Sequence, residues 1–130
     1  MNADTTTAIA TTAQDLAERY IAAWNETDPA ARRALVDATW AEGGRYTDPL
    51  VAAEGRDAID ATLAAVQTQF PGLVFRLGGP VDAHHDIARF TWELGPAGGE
   101  ALVVGFDVLV ADADGRIAQV LGFLDKVPSV

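Results

Sequence analysis

The sequence predicts an α+β fold in which three N-terminal helices cover one face of a curved, mainly antiparallel sheet. Two observations carry this reading. Apolar residues recur at helical spacing up to about residue 71 and alternate beyond it. The strongest turn signal, Asp112-Ala113-Asp114-Gly115, then joins two long alternating runs as a hairpin turn does. The length of 130 residues, with 49% apolar and 22% charged residues, suits one ordinary domain with one core. We expect a flexible tail over residues 1–11 and a single domain over 12–130.

The first helix, from about Thr12 to Asn25, rests on Leu16, Tyr20 and Trp24 at four-residue spacing with Ala17 and Ile21 beside them. Asp28-Pro29 places a capping side chain before a proline in the first helical position. Leu35, Val36 and Trp40 continue that second helix until Gly43-Gly44 stops it. Arg45 to Asp48 alternates as a brief strand ending at Pro49. In the third helix Gly55-Arg56-Asp57 offers an N-cap with Asp60 three residues on, and Ile59, Leu63, Val66 and Phe70 share a face until Pro71-Gly72. Strands are then expected over Leu73–Leu77, Val81–His85, Ile87–Leu94, Glu100–Ala111 and Arg116–Val127.

In the strand Glu100–Ala111 both parities are apolar, Ala101, Val103, Gly105 and Leu109 on one and Leu102, Val104, Phe106, Val108 and Val110 on the other. A strand buried on both sides needs two covers, and the helices supply one. The second cover is expected to be another copy of the chain, a homodimer.

Nine basic and 19 acidic residues give a net charge of −10, with Lys126 the only Lys. Such a field repels phosphate backbones and anionic lipid, so neither nucleic acid nor a membrane surface is an expected partner. The absence of Cys removes thiolate nucleophiles and Cys-type metal sites and fits a reducing cytoplasm. Met1 to Thr12 has no basic leader or apolar run, and no apolar stretch approaches about 18 residues.

The most informative single residue is Asp107, a carboxyl in the middle of the twice-apolar strand, sharing parity with Val103 and Leu109. Burial drives a carboxyl toward its neutral form, and a perturbed carboxyl in an apolar cavity is a functional-site candidate. The plainer reading is a hydrogen-bonded or Arg-paired Asp, with Arg89 as the partner. Tyr46 and Asp48 lie two apart and point to one face, as they would also do on a polar strand rim. Asp125 shares parity with Leu121 and Phe123 and is a third inward candidate, although Lys126 and Pro128 suggest a strand end open to water. Tyr20 lies on the apolar face of the first helix, where its hydroxyl needs a partner. His84 and His85 face opposite ways on a strand and there is no third His, so no metal site is expected, though one of them facing the cavity would be able to shuttle protons. Gly98-Gly99 joins two strands and precedes no helix, so no phosphate loop is read there.

Five segments carry a resemblance: Ala13 to Trp24; Arg45 to Pro49 followed by Gly55 to Ile59; and Gly105-Phe106-Asp107-Val108 with Asp114-Gly115-Arg116-Ile117. They resemble the nuclear transport factor 2-like superfamily, in its branch of ketosteroid isomerases and SnoaL-like polyketide cyclases, over about Thr12 to Val127. The resemblance implies a cystatin-like, cone-shaped barrel, a ligand cavity between helices and sheet, and frequent dimerisation through the sheet's outer face. It implies that Tyr20 matches the helix-one tyrosine of ketosteroid isomerase, Asp48 its general base and Asp107 its protonated acid, a pairing of roles that is a known worked case. In SnoaL-like cyclases a single acid/base Asp sits at a position similar to Asp107.

The expected function is accordingly a cofactor-independent isomerase or cyclase that moves a proton next to a carbonyl in an apolar small molecule. Asp48 would be the base, and Asp107 and Tyr20 the donors to the enolate. Tyr46, Trp24, Trp40, Trp92 and Phe123 are the candidate ligand contacts, and the three Trp would narrow the cavity relative to a steroid site. The alternative is a non-catalytic ligand-binding or dimerisation module of the same fold. An epoxide hydrolase is the weaker resemblance, because its Arg-x-Asp pair would read Arg89-x-Thr91 and its last-strand Asp would fall at Gly122.

Overall fold

The computed structural model describes the backbone of residues 2–128 and the side chains of residues 13–128. Three helices, α1 (Asn2–Asn25), α2 (Pro29–Thr39) and α3 (Arg56–Gln69), pack on a sheet of seven strands. The strands are β1 (Trp40–Thr47), β2 (Ala52–Glu54), β3 (Val74–Leu77), β4 (Asp82–His84), β5 (Ile87–Gly95), β6 (Val103–Ala111) and β7 (Ile117–Lys126). The sheet order is β2-β1-β7-β6-β5-β3, with β4 also paired to β5. All pairs are antiparallel except β1 with β7, which is parallel. The sheet is curved and unclosed, and the helices cover its concave face, giving the expected cone-shaped α+β architecture.

Helix α1 begins well before the expected Thr12, with its backbone helical from Asn2. The tail expected over 1–11 falls on residue 1 and on side chains outside the described residues. The buried face of α1 is the one its spacing foretold, with Leu16, Ala17, Tyr20, Ile21 and Trp24 in the core. Its C-terminal Asn25 bridges to β3, donating to the Phe75 carbonyl at 2.9 Å and accepting from the Phe75 N–H at 2.7 Å. Asp28 caps α2 as expected, accepting from Ala31 N at 2.9 Å with Pro29 at the helix start. Arg32, three residues after Pro29, is buried and locks α2 to α3 through Asp60 at 2.9 Å and Gln67 at 3.0 Å.

Three expectations need correction. Trp40 caps the C-terminus of α2 and at once opens β1, so Gly43-Gly44 lies inside that strand and not at the helix end. A Cβ at Gly44 would stand 2.9 Å from the Trp40 ring and 3.3 Å from the Ile117 carbonyl. The glycine is therefore a close-packing requirement at a register shift against β7, not a stop signal. The cap of α3 is Gly55 at φ 88°, with no side-chain capping bond, and Asp60 faces Arg32 instead. In β7 one extra residue between Ile117 and Gln119 shifts the register, so Val120, Gly122 and Leu124 turn inward and Leu121 and Phe123 outward. Phe123 is thus on the outer face, contrary to the parity read from the sequence, and Asp125, the extra residue of a second shift between Leu124 and Lys126, is exposed. The Asp112–Gly115 turn is as expected: Asp112 Oδ1 accepts from Asp114 N at 2.9 Å and Arg116 N at 3.0 Å, and Gly115 has φ 79°.

Candidate active site

The inward parity of β6, Val103, Gly105, Asp107 and Leu109, is buried throughout, while Val104, Phe106 and Val108 are half-buried on the other face. Asp107 is 1% exposed. The Tyr20 hydroxyl on α1 donates to its Oδ2 at 2.6 Å. Its Oδ1 is buried without a hydrogen-bond partner. Arg89, the alternative partner considered for Asp107, is on the far face and pairs with Asp82 at 3.0 Å.

Two glycines make room for this arrangement. Gly122 is the cross-strand neighbour of Asp107, and Gly105 that of Trp92. A Cβ at Gly105 would collide with the Trp92 indole at about 2.0 Å, so the ring lies flat over β6 only because Gly105 has no side chain. Sequence reading gave these glycines no role, although each sits at an inward position where a side chain would ordinarily fill the core.

Asp48 stands at the end of β1, half-buried, in an Asx turn before Pro49. Its Oδ1 accepts from Leu50 N at 2.8 Å and Val51 N at 2.9 Å, and its Oδ2 accepts from the Tyr46 hydroxyl at 2.6 Å. Tyr20, Tyr46, Asp48 and Asp107 all line one cavity of about 230 Å³, whose walls include Trp24, Phe75 and Trp92. Leu50 and Val127, both exposed, flank its mouth. The rings run in contact along the wall, Trp24 to Phe75 at 5.3 Å and Phe75 to Trp92 at 5.5 Å between centroids. This volume is below the ~300–1,000 Å³ common for drug-sized ligands, so the space suits a small molecule better than a four-ring steroid.

Of the remaining candidates, Trp40 is fully buried behind Tyr20 and Tyr46 and does not reach the cavity. Phe123 is on the outer face and Asp125 is exposed, and neither lines the cavity. His84 and His85 are exposed at the β4–β5 hairpin, where His85 has φ 51°, and neither lines the cavity. Among the described residues no group of three His, Cys, Asp or Glu is placed to hold a metal ion.

Burial pushes the Asp107 carboxyl up to about 6, and the Asp48 charge adds to the rise. The Tyr20 hydroxyl and the Trp92 indole, the latter outside hydrogen-bond geometry, act the other way. Near neutral pH Asp107 therefore exchanges between acid and carboxylate and is not locked as the neutral acid. Burial, then the Asp107 charge, raises both Tyr20 and Tyr46 well above the usual phenol range, so both remain donors.

Residues 17–120 match the family described as the SnoaL-like domain. The chain belongs to the SnoaL-like family. A solved candidate isomerase of this family from Agrobacterium tumefaciens is 43% identical, with a TM-score of 0.84, covering 88% of this chain and 98% of that one. A candidate SnoaL-like polyketide cyclase from Jannaschia sp. CCS1 is 21% identical (TM-score 0.70), covering 90% of this chain and 88% of that one. A candidate polyketide cyclase from Sinorhizobium meliloti is 20% identical (TM-score 0.65), covering 85% and 94%. The last two share the fold. No curated protein matches at a significant level. Among the described residues no helix is long and apolar enough to cross a membrane. This SnoaL-like chain thus combines the nuclear transport factor 2-like cone with a small, aromatic-walled cavity holding two carboxylates.

Proposed function

We propose that this SnoaL-like protein is a cofactor-independent isomerase or cyclase that moves a proton next to a carbonyl in a small apolar substrate, with Asp107 as the acid/base. One observation carries the reading: Asp107 Oδ1 is buried on the cavity and has no partner, while its other oxygen is held by Tyr20. Asp48, expected from the resemblance to be the base, already accepts three hydrogen bonds. A carboxylate offers about four acceptor sites, so Asp48 has little left to offer a substrate. Burial brings Asp107 near the protonation balance that a general acid/base needs, and the Asp48 charge adds to that rise.

In this reading the Asp107 carboxylate takes the α-proton, the electron pair of the broken C–H bond enters the enolate, and the acid so formed returns the proton to carbon. Tyr20 and Tyr46 give their hydroxyls to Asp107 and Asp48 and are not free to serve an oxyanion. That favours a carbanion delocalised over two carbonyls, which needs less help. The test is α-proton exchange of ethyl 2-methylacetoacetate in deuterated water, followed by NMR. Wild type should catalyse exchange and Asp107→Asn should abolish it. Exchange lost in Asp48→Asn but retained in Asp107→Asn would return the base to Asp48.

The alternative, a ligand-binding or dimerisation module without turnover, is favoured by the Tyr20–Asp107 and Tyr46–Asp48 bonds, which also satisfy buried polar groups as a structural pair would. Absence of catalysed exchange with carbonyl compounds that bind would select it. The apolar outer face of the sheet, with Phe123 58% and Leu102 42% exposed, supports a homodimer in either case.

A further inference from the structure

We propose that the cavity is a site for a small organic ammonium, whose N–H is donated to Asp107 Oδ1 while its apolar body lies against Trp24, Phe75 and Trp92. The inference goes beyond the proton-transfer reading and does not depend on turnover.

Three independent features converge. Asp107 Oδ1 is an acceptor that the fold buries and leaves without a donor. Such an oxygen is costly to bury, and a donor on a ligand would satisfy it. Gly122 makes room for this oxygen, since a Cβ at that position would come within 2.8 Å of it.

The charge balance of the lining comes second. It contains two carboxyl groups, Asp48 and Asp107, and no Arg, Lys or His among the described residues. Lys126, the single lysine and next in sequence to Val127 at the mouth, is engaged elsewhere, donating to the Ala101 carbonyl at 2.9 Å. An anionic ligand would meet two like charges and no compensating cation, whereas an ammonium meets opposite charge from both.

The wall itself is the third feature. Aromatic faces attract a cation through their negative quadrupole, best when it is desolvated, and the rings of Trp24, Tyr46, Phe75 and Trp92 form a continuous surface beside the carboxyls. The hydroxyls of Tyr20 and Tyr46 are both given to carboxyl groups, so the cavity presents acceptors and π-faces with few free donors. A ligand that needs to accept hydrogen bonds is poorly served, and one that only donates is well served. An ammonium only donates.

The test is titration calorimetry at pH 7.5 with three probes of nearly equal size: 2-naphthylmethylammonium, 2-naphthalenemethanol and 2-naphthoate. The ammonium should bind about tenfold or more tightly than the alcohol, since hydrogen bonds to charged groups are about twice as strong as neutral ones. Naphthoate should bind weakest. Asp107→Asn should bring the ammonium down to the affinity of the alcohol and leave the alcohol within about threefold. Naphthoate binding as tightly as the ammonium, an ammonium affinity unchanged in Asp107→Asn, or no binding by any probe would overturn the proposal. If Asp107→Asn does not fold, as circular dichroism would reveal, the ranking of the three probes on wild type decides alone. The exchange assay on the keto ester is read separately, so either idea fails without the other.

Discussion

Gly122 faces Asp107 across the β6–β7 ladder, so closely that a Cβ in its place would stand 2.8 Å from Asp107 Oδ1. The missing side chain makes room for the unpartnered, buried oxygen. The same Cβ would lie 3.4 Å from the Asp48 Cβ, so this one position adjoins both carboxylates. Gly122→Ala should push the Asp107 carboxyl off its place, lowering stability by about 1–3 kcal/mol and weakening ligand binding with it. Thermal melts beside the calorimetric titrations measure both. An alanine variant with unchanged melting and unchanged affinity would show that the space beside Oδ1 is not used.

Asp107 also ties stability to pH. Its carboxyl is raised from the ordinary value to about 6 by burial, so the folded state holds its proton more tightly than the unfolded chain does. The stabilisation is fully present below the unfolded value of about 3.9 and is lost as pH rises through about 6. Two units correspond to about 3 kcal/mol. Asp107→Asn carries no charge at any pH. Relative to wild type it should gain about 3 kcal/mol between pH 4 and pH 8, since the cost of its amide is the same at every pH and drops out of the difference. Denaturant melts of both proteins across that range give the difference directly, and a flat difference would contradict a raised carboxyl.

The fold was legible because periodicity and turn chemistry agreed. Tyr20 and Trp24 on one helical face, Asp28 before Pro29, and Asp112 to Gly115 each satisfied a local rule that the tertiary structure kept. Asp107 stood out for a similar reason, as a charge at a position whose neighbours in parity are apolar. Legibility failed where the backbone departs from a regular ladder. The extra residue near Ala118 reverses the faces of β7, so the parity of Ile117 points inward at the strand's start but outward by Phe123, and a second shift leaves Asp125 exposed. Apolar residues on both faces of β7 removed the pattern that would have revealed the slip. Gly44 read as a stop because a glycine demanded by close approach and a glycine ending a helix look alike in sequence. The pairing of Tyr46 with Asp48 and of Tyr20 with Asp107 depends on distances that no spacing encodes.

Those two pairs separate the roles of the carboxylates. Asp48→Asn keeps an oxygen for the Leu50 and Val51 amides, so the turn should survive with a stability change within about 1 kcal/mol. Loss of its charge removes one cause of the rise at Asp107, but burial, the larger cause, remains. A carbon-13 titration of Asp107 in this variant should move toward the ordinary carboxylate value without reaching it. Exchange should slow but persist, in contrast to its loss in Asp107→Asn. An unmoved Asp107 titration would mean that the two carboxyl groups do not sense each other.

The outer face of the sheet yields the last prediction. Phe106 on β6 is paired across the ladder with Phe123 on β7, and Val108 with Leu121, so an apolar stripe crosses the face that the helices leave uncovered. Phe123 is 58% exposed and Leu121 37%, more than a soluble surface places side by side without a use. Packed against the same stripe of a second copy, these side chains would be removed from water at roughly 25 cal/mol per Å² of apolar surface. Wild type should therefore sediment as a dimer at micromolar concentration. Phe123→Glu tests the contact with little risk to the protomer, because the side chain makes no part of the core and a surface change of this kind costs within about 0.5 kcal/mol. Within a dimer the same glutamate would be buried without a cation, which two-fold symmetry doubles. The variant should sediment as a monomer with the circular dichroism of wild type. A wild-type monomer at micromolar concentration, or a variant that stays dimeric, would place the interface elsewhere or remove it.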